Sequence, residues 1–239
     1  MTTQKLVLKS GRMLAYTIRE HPSSRRISMR FDKTAFGLRL TIPRGLGKKK
    51  ALDFALLHQD WIEKQMSDSQ EAASFTPNTS LPFRGERLQL VHDPSALRSY
   101  LSDQELIIAG SEARFAAQCA IFFRRACYED LKPRIIAKAR FIGKEVGRIR
   151  IADQRSRWGS CSSNKTLSFS WRLFLAPEDV RDYLVAHEVA HLAQMNHSPA
   201  FWALCEKLTK GGRKARHKAE TWLKEHGSTL HAIRTQRIT

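Results

Sequence analysis

The sequence predicts an α+β protein: a small β-rich N-terminal part, then a helical part that contains a β-hairpin. Three observations lead there. Residues 13–43 alternate in steps of two, with Leu14, Tyr16 and Ile18, then Ile27, Met29 and Phe31, then Leu38, Leu40 and Ile42. From Ser111 onward the apolar residues recur mainly at helical spacing. Among those helical stretches, Leu167, Phe169, Trp171 and Leu173 alternate with Ser168, Ser170 and Arg172, the pattern of a half-buried strand.

Element by element, Pro22-Ser23-Ser24 and Gly37 punctuate the first strands. Ala51 to Met66 reads as one helix, and Ser67 to Pro82, rich in Ser, Thr, Asn and Pro, as a linker. Leu88, Leu90 and the run Leu106 to Ile108 mark further short strands. The expected division is residues 1–80 and residues 81–239, with the core of the second part at 111–208. Ser111 is placed to cap a helix whose face carries Phe115, Cys119, Phe122 and Ala126. Pro133 is expected to break or kink that helix near Leu131. Val146, Ile149 and Ile151 suggest a strand, and Arg157 to Leu173 a hairpin turning at Ser162 to Lys165. Pro177-Glu178-Asp179 opens another helix, because acidic residues suit the positive end of its dipole.

Composition bounds the function. The 239 residues are 42% hydrophobic and 27% charged, which excludes wholesale disorder. A net charge of +18 favours anionic partners. Residues 111–160 carry +7, residues 161–206 carry −2 and residues 207–239 carry +7, so basic flanks surround a mildly acidic middle. No apolar run is long enough for a membrane span, and the first residues lack a signal-peptide core. The four cysteines form no C-x-x-C pair. A cytoplasmic setting is therefore expected.

The middle segment holds the chemistry. His187-Glu188-Val189-Ala190-His191 is H-E-x-x-H on an expected helix. Two imidazoles four residues apart lie on one helix face, as two ligands of one zinc require. Glu188 points about 100° round the helix, poorly placed as a ligand beside both histidines but well placed to take a proton from a metal-bound water. His197 follows His191 by six residues and is the candidate third ligand; the metzincin pattern has glycine midway, where this chain has Gln194. Asn196 tolerates left-handed geometry and could turn the chain back, and Ser198-Pro199 starts a new helix. Its apolar stripe is Phe201, Leu204, Cys205 and Leu208. If His197 is not the third ligand, Glu206 on that helix is the next candidate.

Arg157-Trp158-Gly159-Ser160-Cys161-Ser162, the strand Leu167 to Leu173, His187-Glu188-x-x-His191 and Asn196-His197-Ser198-Pro199-x-Phe201-Trp202 together resemble the YgjP-like metallopeptidase family. The resemblance is strongest from Arg155 to Leu208. It implies a zincin-like catalytic part, one zinc per chain held by His187, His191 and His197, and Glu188 as catalytic acid/base. The expected function is zinc-dependent hydrolysis of peptide bonds. Zincins bind an extended peptide along an edge strand, where backbone pairing supplies affinity with little sequence preference. Arg157, Trp158 and Tyr183 are candidate substrate-binding residues, with Arg155, Arg157 and Tyr183 as possible oxyanion partners. A nucleotide phosphohydrolase is the alternative, because the same catalytic unit attacks phosphoryl groups. A nucleic-acid-associated protease tethered by the basic flanks is another, and the runs Lys48 to Lys50 and Arg213 to Lys218 could steer the protein to nucleic acid or anionic lipid. His217, His226 and His231 read as solvated surface residues. Cys161 is the cysteine to test for reactivity.

Overall fold

The computed structural model describes residues 4–32, 37–70, 74–154 and 157–235. The chain folds as two compact units, residues 1–72 and 73–239. The division falls before the expected boundary at 80, because Phe75 and Leu81 are already buried in the core of the second unit.

The first unit is a four-stranded sheet with two helices. Its strands are β1 (Gln4–Val7), β2 (Met13–His21), β3 (Ser28–Asp32) and β4 (Gly37–Pro43), in the order β1-β2-β4-β3. β2 and β4 run parallel, and the other pairs are antiparallel. Leu14, Tyr16, Phe31, Leu38, Leu40 and Ile42 line the inner face. The single helix expected over 51–66 is two, α1 (Lys48–Leu57) and α2 (Gln59–Gln70), breaking at His58. The stripe Ala51, Ala55, Ile62 and Met66 still faces the sheet, while Leu57 is left 81% exposed at the break.

The second unit begins with β5 (Ser80–Phe83), β6 (Glu86–His92), β7 (Tyr100–Ser102) and β8 (Glu105–Ile108), in the order β5-β6-β8-β7. The end of the expected linker is thus strand β5. A long helix, α3 (Phe115–Phe141), follows. Its buried face is Phe115, Cys119, Phe123, Cys127, Leu131, Ile135 and Ala139, with the expected Phe122 and Ala126 on its flank. Ser111 makes no side-chain cap; one 3₁₀ turn, Glu112–Arg114, intervenes. Pro133 does not end the helix. It removes one donor, toward the carbonyl of the exposed Glu129, while Leu131 and Ile135 on either side stay buried.

The second unit then adds β9 (Arg148–Ala152), β10 (Gly159–Cys161) and β11 (Thr166–Ser170), in the order β10-β11-β9. β10 and β11 form the expected hairpin, and β10, like β9, is an edge of this sheet among the described residues. The expected strand ends at Ser170, and Trp171–Leu175 is a 3₁₀ turn. That turn carries Arg172 fully inward, where it pairs with Asp153 and donates to the carbonyl of Ile233 at 2.7 Å. Trp171 Nε1 donates to Asp153 at 2.9 Å. The last helices are α4 (Glu178–Ala190), α5 (Pro199–Leu208) and α6 (Gly212–Ala232). α4 packs against α3, α5 and α6. No helix among the described residues is long and apolar enough to cross a membrane, and all four cysteines are unpaired.

Candidate metal centre

α4 is buried along nearly its whole length, so its C-terminal turn presents His187 and Glu188 from a rigid element. His191 closes the helix in right-handed geometry. The chain then tightens through short bonds, with Leu192 N–H donating to the Val189 carbonyl and Ala193 N–H to that of Ala190, both at 3.0 Å. Asn196 is not left-handed; the non-glycine residues with positive φ among those described are Asn78, Arg84, Asp103 and Lys165. The Ser198 hydroxyl accepts the Phe201 N–H at 3.3 Å, and Pro199 starts α5 as expected.

This corner brings the three histidines together. One nitrogen from each of His187, His191 and His197 lies within 4.8 Å of the others. The Nε2 atoms of His187 and His197 are 3.1 Å apart. Two nitrogens each about 2.0–2.1 Å from a tetrahedral ion would be separated by about 3.3 Å, so this pair fits zinc. His191 Nδ1 donates to the Gln194 carbonyl at 3.0 Å, which leaves Nε2 for a metal. Main chain does that orienting, so a glutamine where glycine was anticipated is no obstacle. Burial holds His187 down to about 4, helped by the neighbouring imidazoles and Arg216, and burial also lowers His191. Both are thus neutral near pH 7, the form that ligates metals. Phe201 packs on all three rings, with centroids 5.0, 4.5 and 4.7 Å from those of His187, His191 and His197. Trp202 stacks on His197 at 5.4 Å. The stripe pattern had marked Phe201 only as core.

Glu188 lies outside this triad of nitrogens, buried beside β10. A Cβ on Gly159 would stand 2.5 Å from Glu188 Oε1. Burial pushes the Glu188 carboxyl up to about 8, against a downward pull from the Arg157 guanidinium. Arg157 itself is exposed at the head of β10. Trp158 is half-buried, its ring 4.0 Å from that of His231 and pressed against Gly227 of α6. His231, expected in solvent, is therefore packed. Tyr183 is buried, and its hydroxyl donates to Glu220 at 2.9 Å, tying α4 to α6. Glu206 is committed to Arg216 at 3.1 Å. Burial, then the charge of Glu188, pushes the Cys161 thiol up to about 11, away from reactivity. Arg155 lies outside the described residues.

A family model described as YgjP-like, metallopeptidase domain, matches residues 25–226. The chain belongs to the YgjP-like metallopeptidase family. No curated protein and no solved structure gives a significant match. The YgjP-like match runs through parts of both units and covers the whole histidine corner, Glu188 and the β10 edge. It places the chain among metallopeptidases, and the histidine cluster is where this family member could hold a metal ion.

Proposed function

We propose that the chain is a zinc-dependent peptidase in which His187, His191 and His197 hold the ion and Glu188 is the general base. The observation that carries this reading is the convergence of three imidazole nitrogens within 4.8 Å next to a buried carboxylate that is not one of them. When bound, zinc supplies a Lewis acid that acidifies water and polarises a carbonyl. Glu188 takes the proton of the attacking water and passes it to the leaving amine. Burial alone raises the Glu188 carboxyl, and the positive charge of a bound ion would draw it back toward the ionised form that a base needs.

The free edge of β10 offers backbone N–H and C=O groups to an extended polypeptide. Because Gly159 of that strand abuts Glu188, a peptide paired there passes beside the base. Arg157 puts positive charge near the point where the scissile oxygen gains negative charge. Trp158 and Tyr183 serve the site indirectly: one braces β10 against α6, and the other fixes α4 to α6.

The test is incubation of zinc-loaded wild-type chain and Glu188→Gln with an unfolded polypeptide and, separately, with nucleoside triphosphates. New peptide N-termini from the wild type alone are expected. Phosphate release without peptide cleavage would replace this reading with a phosphohydrolase. Inertness of the zinc-loaded wild type toward both would remove the hydrolase assignment.

A further inference from the structure

The outer face of the first unit's sheet is a cationic surface that the metal centre does not use. Residues 1–72 hold 14 basic and 7 acidic residues, net +7. On the outer face Lys5 and Ala15 pair across β1 and β2, and Thr17, Arg39 and Arg30 line up across β2, β4 and β3. Arg19, Thr41 and Ser28 form the next row. Arg30 stands directly opposite Arg39, an arrangement that costs stability in the free protein. Asp32 offsets one of them, pairing with Arg39 at 2.6 Å, while no described acidic group pairs with Arg19 or Arg30. The topology adds charge at one end. The ends of β2 and β4 and the start of β3 coincide, and Arg25 and Arg26, just before β3, and Arg44, just after β4, follow there in the chain.

The basic run near the start of α6 behaves differently. Within Arg213–Lys218, Arg216 is bound by Glu206 and Glu220, and Lys218 by Asp179. On the sheet, Arg19 and Arg30 keep their charge with no acidic partner among the described residues.

We propose that this sheet face, centred on Arg19, Arg30 and Arg39, docks on the phosphate backbone of double-helical nucleic acid. Strands about 4.8 Å apart and rows about 6.6 Å apart give a cation lattice on a flat floor of Ala15, Thr17, Ser28, Gly37 and Thr41. A duplex presents about one negative charge per 1.7 Å of axis, so several contacts form at once. The described part of the face has no Phe, Tyr or Trp, and its imidazole, His21 at the end of β2, is too little for the row of stacking platforms that single strands use. It also lacks apolar side chains for membrane insertion beside the arginines; the exposed Val7 and Met13 pair at the far end of β1 and β2.

The experiment measures binding of the full chain to a labelled DNA duplex of arbitrary sequence, about 20 base pairs long, across a salt series. Arg19→Ser/Arg30→Ser should weaken binding about tenfold or more near 0.1 M salt and reduce the slope of log K against log salt by about 1.8. Thr17→Glu, in the middle of the face, should act in the same direction. Arg213→Ser/Lys214→Ser on α6 should bind like wild type, and peptidase turnover should be unchanged in all three variants. The proposal is overturned if wild type ignores the duplex at 50 mM salt, if the α6 variant rather than the sheet variants loses binding, or if a single strand binds more tightly than the duplex. Stronger capture by phosphatidylserine vesicles than by the duplex would overturn it in favour of a membrane surface.

Discussion

Gly159 and Glu188 touch so closely that any side chain at position 159 must displace the glutamate: an added Cβ would lie 2.5 Å from Oε1, 2.6 Å from Cγ and 2.8 Å from Cδ. Only the missing side chain lets the edge strand lie against the carboxylate. Gly159→Ala should therefore push Glu188 aside, keep the metal and lower kcat by about 10²-fold or more, the low end for losing an acid–base group. Overpacking should also cost about 1–3 kcal/mol of stability. In a Glu188→Ala background the space is open, and the same substitution should cost almost nothing. Thermal unfolding of the four proteins of this cycle checks the contact apart from activity; an equal cost in both backgrounds would refute it.

His197 is exposed, and it contributes little to the core. His197→Ala should weaken zinc binding by orders of magnitude and leave metal-free unfolding nearly unchanged. Glu206→Gln should retain zinc, because that carboxylate already serves Arg216. Metal titration with a competing chelator measures both, and a zinc loss in Glu206→Gln equal to that in His197→Ala would mean that the ligand set is different.

Glu188→Gln replaces a buried carboxyl with a neutral group of the same size. It should keep zinc and fold while turnover drops about 10²–10⁴-fold. Zinc content and kcat on one preparation decide this; full turnover with zinc bound would move the base elsewhere.

Arg172 is fully buried, stacks on Trp171 and joins Asp153 to the carbonyl of Ile233 near the C-terminus. Arg172→Ala leaves a cavity and strands those acceptors. A loss of about 3–5 kcal/mol is expected, the scale for breaking a buried pair. Denaturant unfolding measures it, and a loss under about 1 kcal/mol would show that the network contributes little.

The histidine corner was legible because its signal is local. Spacings of four and six residues put three histidines on one helix face and its following turn, and Ser198-Pro199 announces the next helix. What escaped notice depends on distant partners. Nothing near Arg172 in the chain shows that Asp153 and Ile233 will satisfy it, so alternation through Leu173 read as strand. The basic composition of Gly212 to Ala232 hid a helix whose few buried residues, Ala219, Gly227, Leu230 and Ala232, are mostly small and widely spaced. Pro133 was overweighted: one missing hydrogen bond toward solvent is outweighed by burial of Leu131 and Ile135 on either side. Gly159 was quoted only as part of a motif, since contact with Glu188 is visible only once β10 is laid beside α4.

Phe201 touches all three imidazoles of the histidine corner. Their conformational freedom is surrendered when α4 and α5 pack, and little remains to be lost when the metal arrives. Metal capture should thus resemble filling a finished socket more than folding around a guest. A chain stripped by a chelator would keep its shape, wait, and recover zinc by simple encounter, so that supply of the ion, with no refolding step, would set how quickly activity returns.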